Sequence, residues 1–403
     1  MSKNALLRSV YALSPLLALL AAPLVTAGTA EAADPIRIGV VTPLSGTYAP
    51  IGQQVRWGLE LATKEVNAAG GILGRQVELL FEDEEANPAV ATQKAEKLFQ
   101  VNKVDFLTGT VNSGSTLAVG QLAERNGRLI ATTVSFSDAI TTDKCSPNVF
   151  RVNARAGQQS AALAEWLAKD KPKAKVYYLG PDYEMGRSTV AAFKAAAEKT
   201  GAQSAGEVFA PLGSKDYSQY FGQLRAARPS VLYTSTAGND TVRLLTQMGE
   251  YGLLRNLTIV GASGTVTAQN IGAIGKAADG FVTGVGYSAE LATPENQAFV
   301  AAFRKEYNTA PDLYGADSYG LIGFFKAAVE KAGGTDTDAL RKAMEGLSWS
   351  TPQGSKTMRA GDHQAIQDMY AVRIAADGSS TRFDVVGTVP GEAAIGPDQC
   401  TRF

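Results

Sequence analysis

The chain has 403 residues, with 38 Lys and Arg against 39 Asp and Glu, a net charge of −1 and 45% hydrophobic content. That length suits about two globular domains of ~150 residues each. The charge balance gives no electrostatic case for nucleic acid or for an anionic membrane surface.

The chain opens on an export signal. Lys3 and Arg8 precede an apolar stretch from Val10 to Val25 that is broken by Ser14, Pro15 and Pro23, and TAGTAEAADP follows. Ala30 and Ala32 have the small-x-small spacing that signal peptidase reads, so residues 1–33 are expected to be a signal peptide cleaved after Ala32 or Ala33. The unbroken apolar part is shorter than the ~20 residues of a spanning helix. No cysteine stands near the cleavage point, which argues against a lipid anchor. The expectation is a free exported protein with no direct membrane insertion.

From Asp34 strands and helices alternate. IRIGVV (36–41) reads as a buried strand, VRWGLELATKEVNAAGG (55–71) as a helix with a glycine stop, and QVELLFEDE (76–84) as a strand. NPAVATQKAEKLFQ (87–100) is a helix with Asn87 as cap and Pro88 in its first turn. VDFLTG is a strand, a helix follows GTVNSGST (109–116), and RLIATTV (128–134) is a strand again. The rhythm restarts after FRVNARAG (150–157), with strands at 174–180, 204–210, 230–236 and 257–263 and helices between them. Beyond GFVTGVGY (280–287) the chain is mainly helical, and it ends in a hairpin over 368–387 with Asp377-Gly378 at its turn. Alternation of this kind means two doubly wound α/β sheets, parallel and covered by helices on both faces. Cys145 and Cys400, an even pair in an exported chain, are expected to form one disulfide, with two buried free thiols as the alternative.

The chemistry of GTVNSGST is settled by elimination. NSGST is not the G-x-S-x-G of a nucleophile elbow, and no lysine follows in P-loop spacing. The single histidine, His363, would have to meet Ser113 or Ser115 for a hydrolase reading. EDEEAN (82–87) is the only dense acidic run, and a strand end explains it better than a metal site. What remains is an anion grip at a helix N-terminus, with Ser113 and Ser115 hydroxyls and Gly114 allowing close approach, against a plain helix cap.

The order of LSGTYAPIGQQ, NAAGGILGRQVELLFEDEEANPAVA, GTVNSGST, FRVNARAGQQ, LGPDYEMG and YGADSYGLIGFFKAAVEKAGG resembles the periplasmic solute-binding proteins of the branched-chain amino acid type, which serve ABC transporters. The resemblance covers residues 34–403. It implies two lobes, 34–154 plus 285–365 and 155–284 plus 366–403, joined by three crossings at a hinge, with a ligand buried between them. It implies a membrane permease as partner, a periplasmic location, and neither catalysis nor cofactor nor metal.

By the same resemblance the ligand carboxylate lies on Ser113, flanked by Asn112 and Gly114, and on the stretch Val134, Ser135 and Phe136. Ile51, with Tyr48 nearby, falls where the family has a ligand-facing aromatic after the first strand. The second-lobe aromatic falls on Met185, with Tyr183 two residues earlier. The loop after SVLYTST contributes Ala237, Gly238, Asn239 and Asp240.

One departure matters. Amino acid binders of the family carry an acid just after the strand that reads TIVG here, and this chain has Ser263 at or near that place. A buried ammonium without a partner costs several kcal/mol. Either Asp240, Glu184 or Asp182 substitutes, or the ligand is an amine-free organic acid, with Phe136, Tyr48, Tyr183 and Tyr287 flanking an aromatic ring. The leaning is to the second. A branched-chain or other amino acid, or a sensor role toward a membrane partner, are the alternatives.

Overall fold

Two parallel sheets with the same strand order organise the chain. The computed structural model describes residues 34–376 and 381–403. The expected signal peptide at 1–33 and the Asp377-Gly378 turn lie outside the described residues.

The first set of elements is β1 (Ile36–Thr42), α1 (Ala49–Ala68), β2 (Val77–Asp83), α2 (Pro88–Gln100), β3 (Phe106–Thr108), α3 (Ser113–Arg125), β4 (Ile130–Thr132) and β5 (Val149–Arg151). The second is α4 (Ala156–Asp170), β6 (Lys175–Pro181), α5 (Glu184–Lys199), β7 (Gln203–Ala210), α6 (Ser218–Ala227), β8 (Val231–Thr234), α7 (Asn239–Glu250), β9 (Thr258–Gly261), α8 (Ile271–Ile274) and β10 (Val282–Val285). Then come α9 (Pro294–Tyr307), α10 (Leu313–Ala332), α11 (Thr337–Met344), β11 (Ser348–Thr351), β12 (Gly354–Met358) and β13 (Ala365–Ile366). The chain closes with β14 (Met369–Ala376), β15 (Thr381–Val389) and α12 (Gly391–Ile395).

The first sheet runs β2-β1-β3-β4-β5, all parallel. The second runs β7-β6-β8-β9-β10 in parallel and adds β14 and β15 antiparallel beyond β10. Each is doubly wound, as the sequence pattern predicts. Ile36, Ile38 and Val40 pack with α1 and α10 on one face of β1, while Val41, Leu107 and Ile130 pack with α2 and α3 on the other. Burying each such side chain contributes ~1.5–3 kcal/mol against its exposure in the unfolded chain. The strands are apolar on both faces for this reason.

The chain passes between the two sheets at 152–155, 286–293 and 367–368. Its last residues return to the first sheet. Cys400 is bonded to Cys145, 255 positions earlier, and Arg402 donates to Glu124 and to the Cys145 carbonyl.

Helix α1 starts at Ala49, six residues before the apolar periodicity suggests, because Pro50 presets its first turn. The three-stranded sheet of β11, β12 and β13 is not visible in the sequence. Its strands are short and mostly polar, and Trp349, Thr351, Lys356 and Met358 are buried in alternation with exposed or half-buried residues.

Candidate functional site

In open α/β sheets ligands lie beyond the carboxyl ends of strands, where the strand order reverses. That point falls between β1 and β3 in the first sheet and between β6 and β8 in the second. The four turns leaving these strands carry Tyr48, Ser113, Tyr183 and Gly238, and they face one another across a single cleft. The Tyr48 and Tyr183 hydroxyls are 2.7 Å apart. Burial raises the pKa of both phenols, so the pair is held neutral.

The two sides touch closely. Gly238, at φ +56°, lies against the turn after β1, where an added Cβ would stand 2.6 Å from the Thr47 carbonyl oxygen. Gly264, at φ +77°, lies under Tyr314, where an added Cβ would stand 1.8 Å from the phenol oxygen. Both positions need the left-handed freedom of glycine and its missing side chain. Phe136 stacks on Tyr314 with centroids 6.2 Å apart, and Ile51 joins Gly238, Gly264 and Tyr314 around a small void. Met185 and Ala237 complete the apolar wall from the second sheet.

Ser113 is fully buried at the first position of α3. Its Oγ accepts the Ser137 N–H at 3.3 Å, and its own proton has no acceptor among the described residues. The backbone N–H groups of Ser113 and Phe136 also lack acceptors among the described residues. Three donors without acceptors are thus held by two neighbouring turns, which is the arrangement a carboxylate needs. Glu84 fixes the turn from behind. Its Oε1 accepts the N–H of Val111 at 2.7 Å and of Asn112 at 3.3 Å, and burial pushes its carboxyl up to about 7.

Several expected site residues sit elsewhere. The Asn112 side chain caps α3 by taking the N–H groups of Gly114 and Ser115, so those two donors are spent on the helix. Gly114 opens toward Pro88 and the Asn112 amide, not toward the cleft. The Val134 and Ser135 N–H groups go to the Thr132 hydroxyl, and the Ser135 hydroxyl bonds to the carbonyls of Thr110 and Val111. This stretch braces the turn, and only Phe136 projects into the cleft. Asn239 is exposed, with its N–H 3.4 Å from the Thr47 carbonyl. The buried Ser263 donates its N–H to Gln159. Tyr287 is buried with an unpartnered hydroxyl and lines a separate cavity of about 280 Å³ with Asp312 and Arg304.

The acids proposed as ammonium partners are engaged. Asp240 accepts from Arg243 at 2.5 Å and from the Gly213 N–H. Glu184 takes the Ser137 hydroxyl, and Asp182 pairs with Arg187. The hydrolase pairing fails as well. His363 is fully buried, stacked on Phe150 at 4.0 Å with Nδ1 at the Val149 carbonyl, and burial pushes its imidazole down to about 4.

Three residues escaped the sequence reading. Tyr314 was quoted in a motif but not placed in the site. Glu84 stands at the carboxyl end of β2, the same sheet end as Ser113, and that placement is a usable signal. Asp312 caps α10 through Oδ1, and its other oxygen makes no hydrogen bond among the described residues. Burial pushes its carboxyl up to about 7.

Comparison with known proteins gives the family and the fold. The chain is 29% identical over 315 residues to "Leu/Ile/Val-binding protein homolog 3" of Brucella melitensis, covering 78% of this chain and 84% of the relative. A solute-binding protein of an ABC transporter from R. palustris, solved with benzoate, is 26% identical with a TM-score of 0.81, covering 89% of this chain and 98% of that one. An ABC transporter substrate-binding protein from Sphaerobacter thermophilus is 28% identical with a TM-score of 0.80 over the same shares. Among the described residues no helix is long and apolar enough to cross a membrane. The profile of the family described as "Periplasmic binding protein" matches residues 35–379, and the chain belongs to that family, the solute-binding proteins of ABC transporters.

Proposed function

We propose that this protein captures a small amine-free carboxylic acid, with an aromatic ring, and hands it to the permease of an ABC importer. The lobes, 34–154 with 285–365 and 155–284 with 366–403, the last residues of which are tied back to the first lobe through Cys400 and Arg402, close on the acid by hinge motion at the crossings. Its carboxylate sits on the Ser113 hydroxyl and on the N–H groups of Ser113 and Phe136. Phe136, Tyr314, Tyr48 and Tyr183 enclose the ring. The observation that carries this reading is the set of unaccepted donors at Ser113 and Phe136, beside three acids that are already paired. The benzoate complex of the R. palustris relative supports the same class.

One observation favours a second reading. Asp312 keeps one carboxylate oxygen without a hydrogen bond at the edge of the cleft, and it could hold the ammonium of an amino acid. The name of the Brucella relative supports that class.

A thermal-shift screen of the refolded, ligand-stripped protein separates the two. Benzoate, hydroxybenzoates, hydroxycinnamates and 2-oxo acids are set against leucine, valine, alanine, glutamate and phenylalanine. A ligand at ~100 times its Kd adds ~2.7 kcal/mol and raises the midpoint. Shifts with the amine-free acids alone support the first reading, and shifts with amino acids alone replace it by the second.

A further inference from the structure

Arg151 ends β5 and is fully buried, a few residues behind the cleft. Its guanidinium makes only neutral contacts. Nε donates to Gln364 Oε1 at 2.6 Å, one Nη to the carbonyls of Ser135 at 3.3 Å and Ser137 at 2.5 Å, and the other to the Thr141 hydroxyl. No carboxylate of the described residues pairs with it. Asp138 leans to Arg155, 3.9 Å away, and Asp362 is held by Arg359. Arg155 is itself buried, so two interior guanidiniums share one half-buried acid. A buried cation without a counter-ion is expensive, and the surroundings push its pKa down to about 9, burial foremost.

Of the two carbonyls that Arg151 holds, that of Ser135, which the Asn153 amide also bonds, belongs to the peptide whose N–H is that of Phe136, one of the open donors. A hydrogen bond at one end of a peptide group strengthens the donor at the other.

We infer that Arg151 supplies the fixed positive charge that makes this cleft select an ionised carboxylate, acting through the Ser135–Phe136 peptide. The inference rests on the carboxylate reading of the site. An anion accepting the Phe136 N–H stands on the order of 8 Å from the guanidinium. At an interior effective dielectric this is worth roughly 10- to 100-fold in affinity. Arg151 is a positioning and field-setting residue and does not touch the ligand. Its other contacts, to Gln364, Thr141 and the Ser137 carbonyl, tie β5 to its neighbours, and a purely bracing role predicts different behaviour.

The test compares matched acids and amides, benzoate with benzamide and leucine with leucinamide, by calorimetry. For the acid that binds, wild type is expected to prefer the acid over its amide. Arg151→Met should lose that preference by roughly 10- to 100-fold, while Arg151→Lys keeps most of it. Gln364→Met removes the Nε contact but not the charge, and should leave the preference intact. Asp138→Asn removes the acid that offsets the two arginines, and should raise the preference severalfold. That variant reads the field even if Arg151→Met does not fold. An unchanged preference in Arg151→Met, or an unchanged or lowered one in Asp138→Asn, overturns the inference alone. A wild type that binds neither acid overturns the carboxylate reading and this inference with it.

Discussion

The phenolic oxygens of Tyr48 and Tyr183 stand 2.7 Å apart and join the turn after β1 to the turn after β6. No sheet or crossing connects these two turns, so under the proposed hinge motion the hydrogen bond belongs to the closed form. Tyr48→Phe should therefore weaken the closed state by ~0.5–1.5 kcal/mol. The loss should fall mainly on dissociation, since affinity changes in related complexes are mostly changes in off-rate. Tyr183→Phe should match it, and the double variant should lose little more than either single one, because both remove the same bond. Stopped-flow release of the bound acid measures this. Additive losses would mean that the two hydroxyls act separately.

Ser113→Ala leaves α3 capped, because the cap is Asn112. The fold should keep its stability while affinity for the carboxylate falls by ~1–3 kcal/mol, as for a hydrogen bond to a charged group. Calorimetry beside a thermal melt without ligand distinguishes the two effects. Unchanged affinity would remove Ser113 from the grip.

The α/β alternation was legible because periodicity and caps are local, and Asn87 and Pro88 open α2 as their types predict. Ser113 was legible because a strand, a Gly- and Ser-rich turn and a helix follow in order. What the sequence hid was long-range. Nothing local says that Glu84 reaches across to the N–H of Val111. Gly264 directly follows Ser263, yet its partner Tyr314 is fifty positions away and meets it only in the folded chain. Arg151 is another case, since its burial without an acid depends on neighbours drawn from three segments.

Under the proposed closure, Gly264 limits how closely the two sides of the cleft approach, because it lies against Tyr314. Alanine there meets the Tyr314 oxygen at 1.8 Å and must also adopt φ +77°. The backbone cost of ~1–3 kcal/mol bears on the fold, while the overlap with Tyr314 opposes closure, so affinity should fall about tenfold or more. Under the proposed hinge motion the open form is free of that collision, so the melt without ligand should move less than the affinity does. Adding Tyr314→Phe removes the colliding oxygen and should recover part of the loss. If the double variant binds no better than Gly264→Ala, the oxygen is not the limiting contact, since the ring Cζ still stands 2.5 Å from the added Cβ.

Glu84 makes stability depend on pH in a predictable direction. Its carboxyl has a pKa of about 7 in the folded chain against 4.5 for a free glutamate, chiefly from burial. The folded state therefore binds the proton more tightly, and stability falls as pH rises from ~4.5 to ~7, then levels off. Asp312 acts in the same sense up to about 7, while His363, pushed down to about 4, acts oppositely below its ordinary value. A wild-type profile alone mixes these three groups, so the difference between Glu84→Gln and wild type isolates one. Glutamine is isosteric and can still accept from Val111 and Asn112. The variant should match wild type near pH 5 and be more stable by roughly 2–4 kcal/mol near pH 8. Denaturant melts at the two pH values measure the difference. A difference that stays constant across that range would mean that Glu84 is already ionised in the folded protein at pH 5.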